Sequence, residues 1–161
     1  FPKDVKIYID GGWNEGEDES KMIRWMRQVY RTLAAKGLKD LENIFYHEDL
    51  EGIHNEKDWT KRSPMALLYL YGKFSSQIVN FTAKPIIKKR EIASQIYYVP
   101  FLELANDMQF TPILCHYKTN NHNMVQIGED GELIVLSRTS SCSIEIEYQA
   151  QKHTIPLPDM K

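Results

Sequence analysis

The chain has 161 residues, 42% of them hydrophobic and 26% charged, and a formal net charge of −2. That length bounds the fold to one medium domain or two small ones, and the near-neutral balance argues against nucleic acid as an obligatory partner. No apolar run approaches the roughly 20 residues that cross a bilayer, and the chain opens on Phe1 with neither Met nor a basic-then-apolar leader, so its start reads as processed or cut.

Val5, Ile7 and Ile9 alternate as a short strand, and Gly11-Gly12-Trp13-Asn14-Glu15 reads as a turn after it. Met22, Ile23, Met26, Val29, Tyr30 and Leu33 recur at steps of one, three or four, which predicts a helix from near Ser20 to Gly37 with one buried face. Ile44, Phe45 and Tyr46 predict a second strand, parallel to the first and joined to it by a right-handed crossover. Gly52-Ile53-His54-Asn55-Glu56-Lys57-Asp58-Trp59 then opens a helix from about Glu56 to Tyr71, in which Pro64 predicts a kink or a broken first half. Parallel sheets are normally covered on both faces and paired along their edges, so the remainder of this sheet is expected from elsewhere.

A change in pattern between Gly72 and Gln77 predicts a domain boundary, with residues 1–73 before it and 74–161 after it. The later part carries short β-like runs at Ile78–Phe81, Ile96–Val99, Ile113–Tyr117, Val125–Ile127, Leu133–Leu136, Ile144–Tyr148 and Thr154–Leu157. Such runs, separated by Asn, Gly, Ser and Pro, predict a small β-sandwich, and Asp130-Gly131 marks a hairpin because glycine tolerates positive φ. The fold class expected is therefore α/β followed by all-β.

His54 follows a strand and precedes a helix, where an imidazole can project over the C-terminal edge of a parallel sheet and act as a general base. A surface histidine beside a helix N-terminus is the plainer reading. Glu15 could accept the imidazole N–H and fix its tautomer, with Asp10 and Asp18 as nearby competitors. Equally, Glu15, Glu17, Asp18 and Glu19 could be acids that favour a helix N-terminus. Trp13, beside Glu15, is a candidate for lining a substrate pocket, or it packs on the following helix.

The run Ile7-Tyr8-Ile9-Asp10-Gly11-Gly12-Trp13-Asn14-Glu15, the helix, and then Gly52-Ile53-His54 with Trp59 and the apolar Leu67-Leu68-Tyr69-Leu70 resembles the end of the putative-esterase family of α/β-hydrolases, which includes esterase D-like, feruloyl esterase-like and siderophore esterase-like members. The resemblance covers about residues 5–72. It implies a partial α/β-hydrolase domain with the triad acid at Glu15 and the triad base at His54. The chain lacks a G-x-S-x-G elbow and the oxyanion donors. Ser63, within a helix, and Ser20, at a helix cap, are poor substitutes for the nucleophile.

In the second part, Asn120-Asn121, the stretch Met124 to Leu133 and Ser143-Ile144-Glu145-Ile146-Glu147-Tyr148 resemble a bacterial Ig-like module, which implies a spacer or adhesion role. Cys115 and Cys142 fall on separate predicted strands, as a disulfide between sheets or as two buried thiols. Cys115, His116 and His122 do not complete a metal site, because adjacent strand residues face opposite ways and no second ligand pair is present. Asn80-Phe81-Thr82 fits a glycosylation sequon.

Together these readings suggest the C-terminal fragment of a serine carboxylic-ester hydrolase that is inactive by itself. Its missing strands would come from the upstream portion of the same hydrolase or from self-association. The substrate would be a small-molecule or carbohydrate-linked ester, with no metal and no cofactor. The alternative is a non-catalytic binding protein that works through its Ig-like β-sandwich. Localisation stays open, with an extracellular or bacterial cell-surface setting suggested by the second resemblance.

Overall fold

A computed structural model describes residues 4–15, 19–88, 94–137 and 141–158. The described residues are mostly β-sheet, with two helices. They group into two compact units, one running to Asn80 and including Leu102–Ile113, the other comprising Phe81–Phe101 and the residues from Leu114 onward.

The first unit is built on a β-α-β-α order: β1 (Ile7–Asn14), α1 (Glu19–Ala35), β2 (Ile44–Ile53) and α2 (Glu56–Tyr71). β1 and β2 are parallel, with Ile7 opposite Ile44 and Asp10 opposite His47. α1 ends where Gly37 takes φ +91°. There Leu38 N–H reaches Leu33 O and Gly37 N–H reaches Ala34 O, the paired bonds of a left-handed helix cap.

β1 is longer than its alternation suggested. Gly11-Gly12-Trp13-Asn14 is strand, not turn, with a register shift between Gly12 and Asn14. Glycine makes this geometry available: a Cβ on Gly12 would stand 2.2 Å from Gly52 O, so only a bare α-carbon lets the two strands approach so closely.

Because side chains alternate along a strand, the β1–β2 pair presents two different faces. One face carries Trp13, Ile44, Tyr46 and Glu48 toward α1, where Ile23, Arg27 and Tyr30 are buried. Val29 falls outside that stripe and is 53% exposed, while Arg27 replaces it inside. Arg27 is drawn in by Glu48, which is 0% exposed. Arg27 Nε and Nη2 donate to the two Glu48 oxygens at 2.6 and 2.7 Å, and Trp13 Nε1 and Tyr46 Oη donate to the same carboxylate at 2.8 and 2.9 Å. The other face places Tyr8, stacked on Phe45 at 5.5 Å, toward α2, whose buried residues are Asp58, Arg62 and Tyr69.

α2 runs through Pro64 as one helix, so the expected break is absent. Proline removes the N–H that would have bonded Thr60 O, and Ser63 Oγ donates to that carbonyl at 3.1 Å in its place. Along the far side of β2, Thr111 N–H donates to Tyr46 O at 2.8 Å and Thr111 Oγ1 accepts from Glu48 N–H at 3.0 Å. Thr111 directly follows β5 (Gln109–Phe110), which pairs with the end of β4 (Gln95–Leu104). Among the described residues β1 pairs with β2 alone.

The second unit holds most of β3 (Ile78–Lys88) and β4, with β6 (His116–Thr119), β7 (Val125–Ile127), β8 (Glu132–Val135), β9 (Ser143–Tyr148) and β10 (Gln151–Pro156). Two sheets form, in the orders β3-β4-β8-β7 and β10-β9-β6. Each of the seven expected runs meets a strand, and Ile144, Ile146 and Tyr148 alternate inward as a sandwich strand should. Gly131 takes the positive φ, +76°, that the Asp130-Gly131 turn calls for. Cys142 is buried with Sγ 3.5 Å from Met124 Sδ, and Cys115 and Cys142 are not joined by a disulfide.

The buried Arg27–Glu48 pair yields a direct test. Glu48→Gln leaves an uncompensated guanidinium inside the unit and should lower stability by about 3–5 kcal/mol. Replacing both partners together, as Arg27→Met with Glu48→Met, should cost far less. Urea unfolding of the single and double variants checks both expectations.

Candidate functional site

The end of β1 and the start of α2 meet at one place, and the backbone is held there by hydrogen bonds. Asn55, the N-cap of α2, accepts from Asp58 N–H at 2.9 Å, and Asp58 Oδ2 accepts from Ile53 N–H at 2.9 Å. These reciprocal bonds are a variant of the capping box, and His54 lies between the residues they tie down. Lys61, hydrogen-bonded at 2.7 Å, and the Ile53 N–H together hold the Asp58 carboxyl below its usual range.

His54 Nδ1 lies 3.1 Å from Glu15 Oε2. The two residues that sequence reasoning paired are therefore within hydrogen-bond distance, although 39 positions separate them in the chain. Glu15 is buried, whereas the His54 side chain is 65% exposed. Trp59, one turn into α2, meets the imidazole edge-to-face with centroids 4.8 Å apart. Among the described residues Nε2 of His54 has no hydrogen-bond partner, so one ring nitrogen is engaged and the other is not.

The second Glu15 oxygen is fully used. Oε1 accepts from Gly12 N–H at 2.8 Å and from Arg62 Nη2 at 2.7 Å. Arg62 comes from the buried face of α2, is 3% exposed, and stands between three carboxylates. Asp49 is 3.5 Å from Nη1 and Asp10 is 3.6 Å from Nε, so only Glu15 receives a short hydrogen bond. Burial disfavours the guanidinium charge, but the bond to Glu15 and the charges of Asp10, Glu15 and Asp49 outweigh it and hold the proton more tightly than usual. Arg62 did not figure in the sequence reading. Its signal is an arginine at the i+4 position from Asp58 on the helix face that also carries Tyr69.

The other candidates are placed as follows. Trp13 is 1% exposed, with its indole N–H on Glu48, so it belongs to the interior packing against α1 and presents no surface to a ligand. Asp10 pairs with Arg62 and not with His54, while Asp18 and the Ser20 side chain lie outside the described residues. Ser63 is spent on Thr60 O. Asn80 of the sequon is exposed on β3, its amide donating to Glu103 at 3.0 Å. Among the described residues no group of three or more His, Cys, Asp or Glu is arranged to hold a metal ion, and no helix is long and apolar enough to cross a membrane.

No protein-family model matches this chain, and neither does any curated protein or solved structure.

Two measurements follow from this geometry. Asn55→Ala removes the cap of α2 and should cost about 1 kcal/mol, with faster amide exchange confined to the first turn of α2. His47, opposite Asp10 in the register, has its pKa lowered by burial, against the raising charges of Asp49, Asp10 and Glu48. The unfolded chain binds this proton near the ordinary value of 6.5 and the folded chain does so only at lower pH, so stability falls as pH drops below that value. His47→Gln should flatten the fall in denaturant midpoint between about pH 7.5 and about pH 5.5, a window above the range in which Asp58 titrates.

Proposed function

We propose that this chain supplies the acid and base of a serine carboxylic-ester hydrolase, with Glu15 as the acid and His54 as the base. The nucleophile would come from a preceding part of the same protein. The observation that carries this reading is the 3.1 Å contact between His54 Nδ1 and Glu15 Oε2, with Nε2 left open on an exposed ring.

In that arrangement Glu15 accepts Nδ1–H, which leaves the lone pair on Nε2. His54 Nε2 takes the proton of the serine hydroxyl as its oxygen bonds to the ester carbonyl carbon. The same proton then passes to the departing alkoxide, and the acyl-enzyme is resolved by a water activated at Nε2. Among the described residues β1 pairs with β2 alone, which supports the reading further, because a strand could add on the other side. Such a partner is the upstream portion of the hydrolase.

For the second unit, the strand orders β3-β4-β8-β7 and β10-β9-β6 support an Ig-like module. Taking the seven strands as A to G in chain order, they correspond to the A-B-E-D and G-F-C sheets of the immunoglobulin constant-type sandwich. This order favours a spacer or adhesion role for the sandwich. It also keeps a second reading in view, in which the module binds a partner and the α/β segment is its scaffold.

The experiment is an assay with a chromogenic acetyl ester on this chain and on the protein extended upstream through a G-x-S-x-G segment. The isolated chain should be inactive and the extended protein active. In the active form His54→Ala should reduce kcat by on the order of 10⁶ and Glu15→Ala by on the order of 10⁴. Normal turnover in His54→Ala, or an upstream sequence without a nucleophile, leaves the binding reading.

A further inference from the structure

A carboxylate that is to hold an imidazole has two oxygens, a rotatable side chain and a choice of partners. In this chain the choice is removed. Glu15 Oε1 is fixed from two directions, by Gly12 N–H at 2.8 Å and Arg62 Nη2 at 2.7 Å, which leaves Oε2 as the oxygen that meets His54. The geometry points to Arg62 as the positioning residue of the acid–base pair: by locking Glu15 it sets the tautomer of His54, keeping the proton on Nδ1 and the lone pair on Nε2. This inference rests on the hydrolase reading for its purpose, though not for its test.

A cation pressed against the acid would ordinarily work against it, because a neutralised carboxylate attracts an imidazole N–H weakly. The surroundings of Arg62 offset that effect. Asp10 on β1 lies 3.6 Å from Nε and Asp49 on β2 lies 3.5 Å from Nη1, so the guanidinium is shared by three carboxylates from two strands. Counting Asp10, Glu15 and Asp49 against Arg62, three negative charges meet one positive charge, and the cluster keeps a net charge of −2. Arg62 can therefore act as a fixed donor while Glu15 still presents negative charge to the imidazole.

Four further observations fit a positioning role. The guanidinium is buried, so its hydrogen bond to Glu15 is formed away from solvent competition. Among the described residues its Nε and Nη1 have no hydrogen-bond partner of their own, and Glu15 is the only group there that it holds at hydrogen-bond length. The space for it is kept open by Gly52, where a Cβ would lie 2.4 Å from Nη1. Asn55 and Asp58 tie down the start of α2, and Arg62 lies one turn further along the same helix, so the clamp of the acid is carried on the helix whose cap directly follows the base.

The test reads the ring and needs no turnover. With ¹⁵N-labelled histidine, long-range ¹H–¹⁵N spectra of this chain at a pH where imidazole is neutral distinguish the Nδ1–H form from the Nε2–H form. His54 should be predominantly Nδ1–H in the unmodified chain and shift toward Nε2–H in Arg62→Met, as it also should in Glu15→Gln. Arg62→Lys carries the test if Arg62→Met does not fold. Its ammonium would stand near the place of Cζ, one bond short of Nη2, and so would lose the short, directed bond to Glu15 Oε1 while keeping the charge. The tautomer must shift in that variant too.

A folded Arg62→Met or Arg62→Lys with the ring still in the Nδ1–H form overturns the proposal. A ring that responds as expected in a chain whose upstream-extended form hydrolyses no ester refutes the hydrolase reading and leaves the positioning role standing. An extended enzyme with ordinary ester turnover whose Arg62→Met variant keeps both tautomer and kcat refutes the positioning role alone.

Discussion

The close approach of Gly12 to Gly52 is the constraint from which the site follows. A side chain at position 12 would collide with the backbone of β2 at 2.2 Å, and one at position 52 would displace the Arg62 guanidinium. With both positions bare, β1 and β2 stay together to their ends despite the register shift beyond Gly12. The residues just past those ends, Glu15 and His54, then fall within hydrogen-bond distance. A polar pair distant in sequence is thus created by what two residues lack.

The two faces of the β1–β2 pair each bury an arginine and solve the resulting charge problem differently. On the α1 face Arg27 meets one carboxylate with two short bonds, and Trp13 and Tyr46 complete the acceptor capacity of Glu48. Every strong group there is matched, and the arrangement is structural. On the α2 face Arg62 is outnumbered by acids, and only one of three contacts reaches hydrogen-bond length. The unmatched negative charge lies at the end of the sheet where His54 is exposed. A fold selected only for stability has little reason to leave charge unmatched beside an accessible imidazole, and departures of this kind concentrate where chemistry is done.

The sequence made the local elements readable and left their long-range partners hidden. The three-and-four spacing of Ile23, Met26 and Tyr30 located α1, and the alternation of Ile144, Ile146 and Tyr148 located β9, because each pattern reports one buried face of one element. The order of strand ends made an acid near His54 legible with Asp10, Glu15 and Asp18 in competition, and the family resemblance pointed to Glu15. What failed were judgements that needed a second element. Val29 fits the buried stripe as an apolar residue and Arg27, being charged, does not, yet Glu48 on β2 brings Arg27 inside. Gly11 to Asn14 looked like a turn because glycine there signals a bend as readily as a close strand contact. Nothing local shows that Thr111 bonds Tyr46, or that Arg62 reaches back 47 residues to Glu15.

The edges of β2 and β1 are not equivalent, and this difference bears on how a nucleophile could arrive. Thr111 occupies the far side of β2 through Tyr46 O and Glu48 N–H, whereas β1 is paired on one side only among the described residues. In the proposed hydrolase a docking strand would add beside β1, about 4.8 Å from it, with each further strand another such step away from β2. Its end would lie on the Glu15 side of the site, with His54 beyond. An alcohol on the strand itself would remain at least one strand spacing short of the imidazole. The nucleophile proposed for this site has to be carried on a sharp turn that projects past its own strand, which is the geometry a glycine-flanked elbow provides. That need for reach, more than any preference of serine itself, is why a G-x-S-x-G segment is the feature the proposed hydrolase would require in any portion that completed the sheet.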